Sequence, residues 1–156
     1  MTMVLLLALH SASAVVWVGG MFFALLVLRP AADGLAGPER LKLWRRVFGR
    51  FFAWVWAAVT TLLVTGYWML LSYFGGFKGA GIYIHLMNGT GLLMMALYVW
   101  LYFVLWPRFR GAVDAGDFEA APGHLAAIRT IVLINLVLGL LTVMTGAAGP
   151  WFTAYG

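Results

Sequence analysis

The sequence predicts an all-α integral membrane protein: an antiparallel bundle of four transmembrane helices, with the N and C termini outside (periplasmic). Three observations predict it. Of 156 residues, 64% are apolar and only 10% are charged, against about 25% charged in a soluble domain. Four apolar stretches reach the roughly 20 residues that a helix needs to cross a bilayer. The basic residues gather in two of the three connections, which fixes the expected orientation.

The spans fall at about 3–28, 51–74, 81–106 and 126–148, in a single domain covering 1–156. None holds Asp, Glu or Lys, and Arg129, near the start of the fourth, is the one Arg inside a span. At the start, Val4 to Leu9 followed by Ser11-Ala12-Ser13-Ala14 has the look of a secretory signal. No positive charge precedes that run and it continues to Leu28, so it is read as a retained helix.

The first connection carries Arg29, Arg40, Lys42, Arg45, Arg46 and Arg50, and the third carries Arg108 and Arg110. The short second turn, Gly75 to Ala80, has only Lys78. Positive-inside bias places the first and third connections in the cytoplasm and the 75–80 turn outside. Basic and apolar residues alternate from Pro38 to Phe48, as in an amphipathic lead-in lying on the inner interface. Trp54, Trp56, Trp106, Trp151 and Tyr155 lie near span ends, where aromatic belts form. The net charge of +5 belongs to topology and anionic lipid, not to nucleic acid.

Membrane helices pack through small and polar side chains. At helical spacing, the inward stripes read as follows: His10, Ser13 or Ala14, Trp17 and Gly20 or Met21 on the first helix, and Thr61, Thr65 and Trp68 on the second. The third gives His85, Asn88 or Gly89, and Leu92; the fourth gives Asn135, Gly139, Thr142 and Gly146. Plain packing is the simplest account of the Gly and Thr stripes.

An ionisable residue inside a span is a functional candidate. His10 and His85 stand on helices of the same direction, at heights about 6 Å apart along the axis, so both belong to the outer third of the bundle. One candidate cofactor is haem b, held by histidine with histidine or methionine as second ligand. His10, His85 and Met87 are then the candidate ligands, with Trp17, Asn88 and Gly89 shaping the pocket and Arg129 available for a propionate. The alternative is copper, for which His10, His85, Met87 and Met3 supply imidazole and soft thioether donors. A plainer account has both histidines hydrogen-bonding between helices. Arg129 can also snorkel to the inner surface or meet an acidic lipid, and His124 reads as an interfacial histidine.

Other chemistries lack their residues. Cysteine is absent, which removes disulfides, thiolate metal sites and covalent c-type haem attachment. No span carries a carboxylate for a proton relay. Neither a P-loop nor a zinc-hydrolase spacing occurs.

Leu9-His10, Val16-Trp17-Val18-Gly19-Gly20-Met21-Phe22-Phe23 and Leu28-Arg29-Pro30-Ala31 resemble the first helix of the CopD copper-resistance membrane family. The resemblance continues through Trp44-Arg45-Arg46-Val47-Phe48, Phe51-Phe52 and Tyr83-Ile84-His85-Leu86-Met87. It ends with Ile128-Arg129 and Asn135-Leu136-Val137-Leu138-Gly139. It implies copper handling in a bacterial inner membrane, beside a periplasmic copper or redox protein. The outline is also similar to the HemJ type of protoporphyrinogen oxidase, which holds haem b through a helix-1 histidine and depends on a lysine early in helix 3. His10 matches that histidine. No Lys occurs near His85 to Met87, so the oxidase's lysine does not carry over, and membrane oxidoreductase activity stays open only as a class.

Three expectations follow: a haem b protein with a redox or electron-transfer role, a copper-binding or copper-transport protein, or a cofactor-free membrane assembly subunit. Each has the lipid bilayer as its solvent, with a homodimer or a membrane partner subunit as the expected assembly.

Overall fold

A computed structural model describes the backbone of residues 1–155 and the side chains of residues 1–151. The Tyr155 side chain, assigned above to an aromatic belt, lies outside the described residues. The described chain is helical, in four long helices: α1 (Thr2–Ala32), α2 (Gly37–Tyr73), α3 (Ile82–Asp114) and α4 (Ala121–Tyr155). Each is long and apolar enough to cross a membrane. Helix α1 packs against α2 and α4, and α4 packs against α3.

Helices α1 and α3 share a local device. Each contains a π-helical turn, Phe23–Leu28 in α1 and Leu101–Leu105 in α3. Each turn stands just before a proline, Pro30 or Pro107. Proline has no N–H and its ring collides with the carbonyl four residues back. The chain answers by widening: Arg29 N–H reaches back to Ala24 O, and Trp106 N–H to Leu101 O, each a five-residue step. Both helices continue past the proline instead of ending there.

Helix α2 has 37 residues, about 55 Å at 1.5 Å per residue, well beyond the roughly 30 Å of a hydrocarbon core. The excess is the basic 38–48 segment. The sequence suggested a lead-in lying flat on the interface; the structure makes it an unbroken extension of α2. Its apolar face is taken up by protein: Leu41, Trp44 and Phe48 are buried, and join a core with Phe109, Val113, Leu125 and Ile128. Arg45 Nε and Nη2 donate to the two carboxylate oxygens of Asp114, each at 3.0 Å, tying α2 to the end of α3.

The core has two textures. Toward the arginine-rich end it is aromatic: Phe48 stacks on Phe52, and Trp106 and Phe109 meet Phe48 edge-on. The Tyr98 hydroxyl donates to Phe52 O at 2.9 Å, joining α3 to α2. Trp106 is therefore a core residue and not part of an interfacial belt, and Trp56 packs half-buried against Tyr98 and Tyr102. Trp54 and Trp151 are exposed, as a belt requires.

The other half is packed through small and polar groups. The α4 stripe is the surface met by its neighbours. A Cβ on Gly139 would stand 2.8 Å from Val18 and 3.1 Å from Met94; one on Gly146 would stand 2.9 Å from Met87. The hydroxyls of Thr142 and Thr90 meet at 2.7 Å, and Asn135 Nδ2 donates to Met94 O at 3.2 Å.

Candidate functional site

The α1 stripe is placed as its spacing predicts. Trp17 and Met21 are buried, and His10, Ser13, Ala14 and Gly20 are half-buried on the same side. Two stripes differ. On α2, Thr65 is buried but Trp68 is exposed; the face continues through Met69, which is buried. Four-residue steps, Thr61, Thr65 and Met69, keep one face where a shift to Trp68 leaves it. On α3, His85, Gly89 and Leu92 are exposed, while Met94, Tyr98, Leu101 and Leu105 are buried. The inward face is rotated from the expected one: it runs through Met87, Thr90, Met94 and Tyr98, so large side chains share it with one hydroxyl.

His10 lies against α2. Its Nδ1 is 2.9 Å from the Thr65 hydroxyl, and that hydroxyl is 2.6 Å from Thr61 O. A threonine hydroxyl has one hydrogen to give. The arrangement that satisfies both contacts has Thr65 donating to Thr61 O and accepting from His10 Nδ1–H. This assigns the proton of the neutral ring to Nδ1 and makes Nε2 the unprotonated nitrogen; the ring also lies within reach of the Leu62 backbone carbonyl. The two ring nitrogens point nearly opposite ways, so Nε2 faces away from Thr65. Ligating histidines commonly hold one nitrogen in this way while the other binds metal.

Gly66 makes the close approach possible. A Cβ there would stand 3.1 Å from His10 Cε1 and 3.6 Å from Nδ1. Thr65 and Gly66 thus receive the ring together, one by hydrogen bond and the other by the side chain it lacks. The sequence stripes contained His10 and Thr65 separately. Nothing in one chain's spacing says that they meet, and Gly66 carries no side chain to signal its part.

The other expected site residues fall elsewhere. The exposed His85 ring packs on Phe77 of the 74–81 turn, with centroids 5.5 Å apart. His10 and His85 therefore engage different elements, α2 and the turn. Met87 reaches Gly146 of α4, and Trp17 meets Tyr98 edge-on at 6.2 Å. Asn88 is half-buried, and a Cβ on Gly89 would meet nothing within 4 Å. Met3, half-buried, stands two turns before His10 on the same side of α1. Arg129 sits over the Trp44 ring at 5.3 Å. Trp44 is about 30 Å along α2 from Thr65, so Arg129 and His10 do not share one small site.

Among the described residues, no group of three or more His, Asp, Glu or Cys is placed to hold a metal ion. With no such group at His10, thioethers are the soft donors open to a metal there. Met69 is one turn from Thr65 on the buried face of α2, and Met3 lies on the His10 face of α1. Imidazole with thioether is a soft donor set suited to Cu(I).

No curated protein and no solved structure matches the chain significantly. The family model described as copper resistance protein D, CopD, matches residues 45–148. That stretch contains most of α2, all of α3 and most of α4, with Thr65, Met69, His85 and Met87; His10 precedes it. The match covers the greater part of the chain, and the protein belongs to the CopD family of copper resistance proteins.

Proposed function

We propose that this protein handles copper at a bacterial inner membrane, taking Cu(I) as cargo at His10 near the outer face. The observation that carries the reading is the His10–Thr65–Thr61 chain, which gives Nδ1 the proton and so makes Nε2 the nitrogen able to take a metal. Met3 and Met69, on the same stripes toward the outer end of α1 and α2, would supply the soft donors. His85 and Met87 stand at the start of α3, where the exposed imidazole meets incoming metal first. Positive-inside bias supports an orientation with the arginine-rich end in the cytoplasm and both termini outside.

Membership in a copper-resistance family favours copper over the haem b expectation, which gains no comparable support. A membrane partner or a second copy would extend the four helices into a conducting path, and a periplasmic copper protein would deliver or receive the metal.

The test is direct. The protein is purified in mild detergent, and its copper content and visible spectrum are recorded, oxidised and dithionite-reduced. Near-stoichiometric copper without a Soret band, lost in His10→Ala, is the expected result. A Soret band that disappears in His10→Ala would instead assign the site to haem b. A protein with neither signal, in which His10→Ala and His85→Ala retain function, would point to an assembly role.

A further inference from the structure

The arginine-rich end holds a second arrangement, remote from His10. Two buried donors there have no acceptor: Trp44 Nε1 and Arg129 Nε. Trp44 is 1% exposed, and the Arg129 guanidinium lies over its ring at 5.3 Å. A buried donor left unpaired is unfavourable, and native structures seldom leave two together. Arg129 lines a cavity of about 140 Å³, together with Gly37, Pro38, Arg40, Phe118 and Pro122 among others. A water occupies about 30 Å³ of liquid, so the cavity has room for a tetrahedral oxyanion.

The charge around the cavity points the same way. Arg29, Arg40 and Asp33 all act electrostatically on Arg129. Asp33 is already engaged with Arg40 at 3.5 Å. The guanidinium groups of Arg29, Arg40 and Arg129 therefore share the one carboxylate of Asp33, while Asp117 is taken up by the Ala120 N–H at the start of α4. The cavity walls come from the first turn of α2, at Gly37 and Pro38, and from α4, at Pro122 and Arg129. The N-terminal turn of α2, which has no side-chain cap, adds positive potential to such a place. Surplus cations and donors without acceptors are the complement of an anion rich in acceptor oxygens.

We infer that the cavity between the N-terminal turns of α2 and α4 binds a phosphate group, through Arg40 and Arg129. The flat guanidinium fork suits phosphate oxygens. Two sources offer that chemistry: the headgroup of an anionic phospholipid, or phosphate free in solution. Basic pockets between membrane helices are known receptors for the former. The bound group would clamp α2 to α4 at their basic ends, independently of any metal at His10.

The test measures thermal stability and lipid adducts by native mass spectrometry for the whole protein in detergent. Dioleoylphosphatidylglycerol, dioleoylphosphatidylcholine and inorganic phosphate at matched ionic strength are the probes. The variants are Arg40→Gln, Arg129→Gln and, as a control of equal charge loss outside the cavity, Arg108→Gln. Phosphatidylglycerol or inorganic phosphate is expected to bind the wild type in preference to phosphatidylcholine. Each cavity variant should weaken that binding about fivefold, with Arg108→Gln unchanged. Competition by inorganic phosphate identifies the free ion as occupant; its failure to compete identifies the lipid headgroup. Arg129→Gln also removes the stacking on Trp44, so if it does not fold, Arg40→Gln on the cavity rim carries the test alone. No preference for either phosphate probe, or equal weakening in all three variants, would overturn the assignment.

Discussion

The Thr65 hydroxyl stands between His10 Nδ1, at 2.9 Å, and Thr61 O, at 2.6 Å, so a single hydroxyl both anchors the ring of one helix and orders its protons from another. Everything proposed for copper at this site depends on which nitrogen that contact leaves unprotonated.

Thr65→Val keeps the shape and removes the acceptor. The Nδ1–H then loses its partner, and the ring is free to change tautomer and tilt. Loss of such an outer partner typically weakens metal binding about 10–100-fold. The expected result is a drop of that order in Cu(I) affinity, read by competition with a chromophoric chelator. Thr65→Ser, which retains the hydroxyl, should stay close to wild type. Equal affinity in Thr65→Val and wild type would separate Thr65 from the site.

Two glycines distinguish pocket from packing. Gly139→Ala places a methyl against Val18 and Met94, and overpacking of this kind costs about 1–3 kcal/mol. Gly89→Ala meets open space and gains up to about 1 kcal/mol of helix propensity. Melting curves in detergent should therefore move in opposite directions. Copper content should survive Gly89→Ala unchanged, although the sequence alone suggested Gly89 as a pocket residue.

Asn135 tests how the small-residue half is held. Its Nδ2 donates to Met94 O at 3.2 Å, while Oδ1 has no partner. Interhelical hydrogen bonds in membranes average about 0.6 kcal/mol, and the unpaired Oδ1 offsets part of the gain. Asn135→Ala should therefore lower stability modestly, by about 1 kcal/mol or less. A loss of several times that, measured by unfolding in mixed micelles, would mean that Asn135 holds more than the α3 carbonyl.

Much of the fold was legible because lipid imposes simple rules. Four apolar runs became four long helices, and the Asn135, Gly139, Thr142 and Gly146 stripe became the α4 contact surface. The failures share a cause. Small and polar residues mark a packing face only where helices approach closely. On α3 the inward residues include the large Met94 and Tyr98, which small-residue patterning does not mark, so the expected face through His85, Asn88 or Gly89, and Leu92 was rotated. Trp106 sits at a span end by position, yet the extended basic ends of α2 and α3 bury it. Likewise the pairing of His10 with Thr65 depends on how α1 and α2 are set against one another, a long-range relation that neither helix encodes alone.

The relative weight of the two histidines follows from their surroundings. His10 is fixed by Thr65 and Gly66, whereas His85 is exposed beside Phe77. His85→Ala should slow copper loading while leaving equilibrium affinity within about threefold, well under 1 kcal/mol. Stopped-flow transfer from a Cu(I) chelator separates the rate from the affinity.

The most direct measurement is a Cu(I) titration of the purified protein against a competing chelator, wild type beside His10→Ala. One copper bound per chain is expected in the wild type and none in His10→Ala, with the helical far-ultraviolet spectrum unchanged. Copper bound equally by both proteins, or by neither, would contradict the assignment of copper to His10.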